Sequence, residues 1–286
     1  MKTSLAHLPE FKQAEINQIA KIIEEVVNPA MIILFGSYAK GTYVEHIYTA
    51  KDGIRYEYIS DYDFLVVTKD NLEKSYIQES LIMNRTDRYK PPVNLEIHEI
   101  DYINKGLEIG EYFFVDIVSE GVLLFDKGTI QFTTPRELTT GEKKEKAQRY
   151  FDTLFPQADE FIAGSKFYAE RANYKLAAFN LHQAAESLYC ATLLVFTDYK
   201  PKTHNLWKLR NKAKPYSEVL FSVFRAEVEK KEKQLFELLK RSYIDARYRT
   251  DYDITESELS ILINRVVTMV AIVKEMCESK IAEWIN

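Results

Sequence analysis

The chain has 286 residues, 46% hydrophobic and 28% charged, the balance of a folded globular protein with one large domain or two ordinary ones. No apolar run approaches the roughly 18–20 residues needed to span a bilayer, and the first residues lack the apolar core of a signal peptide, so a cytoplasmic protein with no membrane partner is expected. The formal charge of −5 gives no global pull toward nucleic acid, and the two cysteines, Cys190 and Cys277, read as reduced core thiols.

Residues 8–28 repeat apolar side chains at helical spacing (Phe11, Ile16, Ile19, Ile22, Ile23, Val26, Val27), with Pro29 just beyond. Residues 31–35 form a short apolar run that reads as a buried strand. It ends at Gly36, after which Ser37 suits the N-cap of a short helix. Residues 45–59 read as a β-hairpin turning at Asp52-Gly53. The hairpin delivers the chain to a second buried strand at 61–67, and clean alternation marks a third at 93–98. A helix is expected over 103–118 and a closing strand over 122–125.

Character then changes. Residues 127–141 hold glycine, proline and several threonines and read as a linker between a first domain, 1–126, and a second, 142–286. Strand signals nearly vanish in the second domain. Helices are expected near 142–172, 174–197, 203–214, 217–247 and 255–284, the last opened by a Thr255/Glu258 capping box. The expected fold class is α+β, a mixed-sheet domain followed by an all-α up-and-down bundle.

Asp61 and Asp63, two apart on a strand, point to one face. Glu96 lies on the polar face of the 93–98 strand. If the two strands are neighbours, it completes a three-carboxylate cluster, which repels itself unless cations occupy it. Hard oxygen ligands suit Mg2+ or Mn2+. Gly36 lets a phosphate approach the backbone, Ser37 offers a hydroxyl and a helix-start N–H, and Lys40 is a further nucleotide-binding candidate. The order of parts describes transfer from a nucleoside triphosphate (NTP) by positioning and charge neutralisation.

With these residues in place, the first 125 or so residues resemble the nucleotidyltransferase superfamily that includes DNA polymerase β and the aminoglycoside nucleotidyltransferases. The matching residues are Gly36, Ser37, Asp61, Asp63 and Glu96, and Gly41 matches a second glycine frequent in bacterial forms. The resemblance implies a mixed sheet flanked by helices, magnesium dependence, and transfer of a nucleoside monophosphate to an acceptor. The gap between Gly41 and Asp61 is longer than in compact members because of the hairpin, which is either a lid, an acceptor surface or a decoration.

Residues 179–186 (FNLHQAAE), 202–206 (KTHNL) and 243–248 (YIDARY), in that order, resemble the HEPN domain, a helical bundle often found beside nucleotidyltransferases. Many HEPN members are ribonucleases using an arginine followed several residues later by histidine. Here Ala246 stands where that histidine belongs after Arg241, so no imidazole serves proton transfer and ribonuclease activity is not expected. Tyr248 falls where some toxin-type members carry a tyrosine modified by a partner transferase. Arg241, Arg247 and Tyr248 are candidate contacts for a phosphate or acceptor. The favoured reading pairs Arg241, Arg247 and Arg249 with Asp245, Asp251 and Asp253, and makes His182 and His204 structural.

The expected function is metal-dependent transfer of a nucleoside monophosphate from an NTP to an unidentified hydroxyl acceptor, a small molecule or a protein. The alternatives are a non-catalytic nucleotide-binding or sensing module and a toxin–antitoxin-like protein-modifying element. Nucleic acid is not the expected acceptor, since no basic-aromatic stripe stands out. A homodimer through the helical half is expected by analogy of fold alone.

Overall fold

In the computed structural model, residues 1–49, 55–70, 75–201 and 203–284 are described. The chain divides into two compact units, Met1–Glu137 and Leu138–Asn286. The division falls inside the stretch read as a linker.

The first unit runs α1 (Glu10–Val27), β1 (Met31–Phe35), α2 (Gly36–Lys40), β2 (Glu45–Thr49), β3 (Arg55–Ile59), β4 (Tyr62–Thr68), α3 (Ser75–Thr86), β5 (Val93–Glu99), α4 (Ile100–Glu108), α5 (Tyr112–Glu120) and β6 (Val122–Asp126). A four-stranded sheet has the order β5-β4-β1-β6. β4 pairs with β5 in parallel, whereas β1 is antiparallel to both β4 and β6, so the sheet is mixed. β2 and β3 form a separate antiparallel ladder from Glu45↔Ile59 to Thr49↔Arg55. The Asp52-Gly53 turn read into this hairpin lies outside the described residues.

Alternation sorts the sheet into two faces. Ile32, Leu34, Phe64, Val66 and Leu95 pack on Ile16, Ile19 and Ile23 of α1, forming the core of this unit. The opposite face carries Asp63, Leu65, Asn94, Glu96 and His98 and is covered in part by α4 and α5, whose Tyr102 and Phe114 rings meet His98 at 5.0 and 5.8 Å. The helix expected over 103–118 is in fact this pair, broken at Gly110, whose φ of +69° no helix admits. Helix α3 has no counterpart in the sequence reading.

The second unit is helical throughout its described residues: α6 (Thr140–Glu170), α7 (Tyr174–Thr197), α8 (Leu206–Ala213), a 3₁₀ turn (Lys214–Tyr216), α9 (Glu218–Phe221), α10 (Lys230–Arg241), α11 (Asp245–Tyr248) and α12 (Glu256–Glu283). Capping boxes open α6 (Thr139 with Glu142) and α12 (Thr255 with Glu258). α7 is apolar nearly all round and runs through the core, with Leu181, Ala184, Leu188 and Tyr189 fully buried.

The single helix expected over 217–247 is three helices. The fully buried Arg210 explains the first interruption: its guanidinium donates to the carbonyls of Phe221 (2.8 Å) and Phe224 (2.6 Å), capping them where helix bonds would run. Among the described residues no helix is long and apolar enough to cross a membrane.

Candidate active site

The Gly-Ser turn and the second aspartate meet in space. Gly36 has φ +72°, a left-handed conformation open to glycine, and a Cβ built on it would overlap Asp63 Oδ2, with Asp63 Cγ at 3.3 Å and Cβ at 3.5 Å. The Asp63 carboxylate therefore lies directly against the backbone of the turn. Register brings this about, because the last residue of β1, Phe35, pairs with Asp63.

The turn is fixed at its other end as well. α2 is one short turn that begins at Gly36, so Ser37 lies inside it and is not its N-cap as expected; Phe35 holds that place without a side-chain hydrogen bond. Gly41 closes the turn at φ +79°, and the Thr42 N–H donates to Ser37 O at 2.9 Å. The chain from there is tied to the approach of Asp61: Ser60 N–H donates to Val44 O (2.9 Å), and Val44 N–H to Ser60 Oγ (3.0 Å). Lys40 forms an exposed ion pair with Glu120 at the end of α5.

Tyr62, between the two aspartates, faces the other way and anchors the strand. Its hydroxyl donates to Glu15 of α1 at 2.7 Å. Beside it, Tyr38 of α2 donates to Glu45 at 3.0 Å, and Lys12 of α1, 3% exposed, makes an ion pair with Glu45 at 2.5 Å. Lys12 also lies over the Tyr38 and Tyr62 rings, at 5.7 and 5.5 Å from their centroids. Burial, then the hydrogen-bonded carboxylate, pushes both phenols far above their ordinary pKa. Burial pushes Glu45 up, but hydrogen bonds from Lys12 and Tyr38 outweigh it and hold that carboxyl below its ordinary value. This network, which sequence reasoning missed, joins α1, α2, β2 and β4 behind the candidate site.

Glu96 requires a correction. β5 does neighbour β4, but the register sets Asn94 beside Asp63 and Glu96 beside Leu65. Asn94 Nδ2 donates to Asp63 Oδ1 at 2.9 Å. Glu96 is buried, with His98 Nε2 at 3.2 Å from its carboxylate. Among the described residues no three His, Cys, Asp or Glu side chains gather as a metal site, so the expected three-carboxylate cluster does not form. Asp61 lies just before β4 and Asp63 on it, two residues apart. They fit a divalent ion of the Mg2+ kind, which commonly takes one or two carboxylates and completes its shell with substrate phosphate and water.

In the second unit, Arg241 pairs with Asp245 (2.6 Å) and Arg249 with Asp251 (3.2 Å). Arg247 stacks over Phe179, Tyr243 and Tyr248, and Tyr248 is 73% exposed. His182 Nδ1 on α7 donates to Leu239 O of α10 at 3.0 Å, and His204 Nδ1, in the segment before α8, donates to Glu186 of α7 at 2.9 Å. Burial pushes Glu186 up, but the two imidazoles beside it, His182 with Nε2 at 3.5 Å and the hydrogen-bonded His204, hold it below the ordinary carboxylate range. The His182 and His204 rings stack on Tyr243 at 5.2 and 4.5 Å.

Residues 17–129 match the family model of polymerase β-type nucleotidyltransferases, and residues 151–276 match that of the HEPN domain. The chain is thus a nucleotidyltransferase domain of the polymerase β type followed by a HEPN domain. No curated protein matches it.

Proposed function

We propose that the chain transfers a nucleoside monophosphate from an NTP to a hydroxyl acceptor, with a divalent cation, Mg2+ or Mn2+, at Asp61 and Asp63. The observation that carries this reading is the packing of the Asp63 carboxylate against Gly36, which puts a hard anionic ligand beside a backbone that a phosphate can approach. The family match supports nucleotidyltransferase chemistry in general.

Gly36 and Ser37 hold the triphosphate, the first by lacking a side chain, the second through its hydroxyl. Asp61 and Asp63 hold the ion, which when bound would neutralise phosphate charge as it builds on the leaving group. The acceptor oxygen attacks the α-phosphorus, the bond to the β-phosphate oxygen breaks, pyrophosphate leaves and the acceptor proton passes to solvent or a base. The acceptor is a small molecule or a protein.

Incubation with NTPs labelled at the α- or the γ-phosphorus, Mg2+ and a cell extract tests the reaction class. Label from the α-position should move to an acceptor, and Asp63→Asn should abolish this. Movement of γ-label alone would mean phosphoryl transfer and would overturn the proposal.

A further inference from the structure

Asp63 is held from three sides. The Gly36 backbone lies against Oδ2, Phe35 is its partner on β1, and Asn94 of β5 donates to Oδ1 at 2.9 Å. An ionised carboxylate only accepts hydrogen bonds, so the amide must present its NH2 group to Asp63, and its carbonyl oxygen is turned away. The contact fixes the carboxylate plane with the other oxygen toward the turn.

Resting on the nucleotidyltransferase reading above, we propose that Asn94 is a positioning residue that makes the Asp61/Asp63 site take a single divalent ion rather than a pair. Two cations about 3.5–4 Å apart repel strongly and need bridging anions from both sides. A second ion sharing Asp63 needs a carboxylate level with it across the sheet. That level is occupied by a neutral amide whose hydrogens face Asp63, and N–H groups repel a cation rather than ligate it. Among the described residues of β5 the nearest acid is Glu96, roughly 7 Å further along the strand at 3.3 Å per residue. It lies level with Leu65 and is hydrogen-bonded to His98.

The test counts ions on the full-length protein. Mn2+ is titrated, with its free-ion paramagnetic resonance signal as readout, into protein saturated with an NTP analogue whose α,β-bridge is methylene. The unsubstituted protein should bind a single ion, and Asn94→Asp should gain a second. In chelator Asn94→Asp should melt below the unsubstituted protein, because two carboxylates in hydrogen-bond contact repel, and Mn2+ should restore its melting temperature. Asn94→Ala should keep the single ion at about tenfold weaker affinity, the size expected for losing one charge-assisted hydrogen bond.

A pair of ions on the unsubstituted protein, or no gain in Asn94→Asp, would overturn this inference and leave the proposed function standing. If Asn94→Asp does not fold, the count on the unsubstituted protein decides. No ion at all with nucleotide present would overturn the nucleotidyltransferase reading, and this inference with it.

Discussion

Gly36 carries a double steric demand. Any L side chain there meets two obstacles, a left-handed φ and the Asp63 carboxylate. The backbone term alone costs about 1–2 kcal/mol. Gly36→Ala should therefore lower the urea midpoint accordingly and weaken nucleotide binding by about tenfold or more, since Asp63 must move. An unchanged affinity would show that nucleotide does not use this turn. Gly36, Ser37, Asp61 and Asp63 were named from the sequence because their pattern is local: an apolar run, a glycine, then acids two apart. Asn94 was not. Alternation along 93–98 tells which residues share a face, but a slip of two residues leaves every face unchanged. Only the register distinguishes Asn94 from Glu96 as the neighbour of Asp63.

The elements around the site are locked by the Lys12, Glu45 and Tyr38 contacts rather than by apolar packing alone. Lys12 is nearly fully buried, while the Glu45 side chain is 37% exposed. Removing one partner of a fully buried pair costs about 3–5 kcal/mol, and solvent screening at Glu45 reduces this to about 1–3 kcal/mol for Lys12→Met. Folded Glu45 binds its proton more weakly than the unfolded chain does, so the pair stabilises fully above the ordinary carboxylate pKa of about 4.3. That contribution is lost as pH falls through the depressed folded value. Denaturation midpoints measured against pH should fall less steeply on the acid side for Lys12→Met than for the unsubstituted chain. Equal slopes would remove Glu45 from the account.

Strands and long helices at this scale were readable from periodicity. The failures have physical causes. The apolar residues of α3 are largely exposed (Tyr76, Ile77, Leu81 and Met83), with Ile82 and Thr86 buried, so its pattern gives no clean stripe. The breaks between α9 and α10 depend on a distant arginine, Arg210, whose reach to Phe221 and Phe224 no local pattern shows.

Each unit has its own apolar core: the sheet–α1 layer in the first, and the α6, α7, α8, α10 and α12 packing in the second. The sequence changes character near residue 127, where alternation gives way to helical periods, and the division falls about ten residues later, between Glu137 and Leu138. Cys190 and Cys277 are buried in the second core, where burial pushes each thiol up to about 12, so both are inert. The carboxylates and the glycine turn of the proposed chemistry all lie in the first unit. Calorimetric titration of Mg2+ with ATP, GTP, CTP and UTP, on the unsubstituted chain and on Asp61→Asn/Asp63→Asn, tests this placement most directly. At least one nucleotide should bind, require Mg2+ and lose its binding in the double variant. Binding that persists in that variant without Mg2+ would contradict this placement and put the nucleotide elsewhere in the chain.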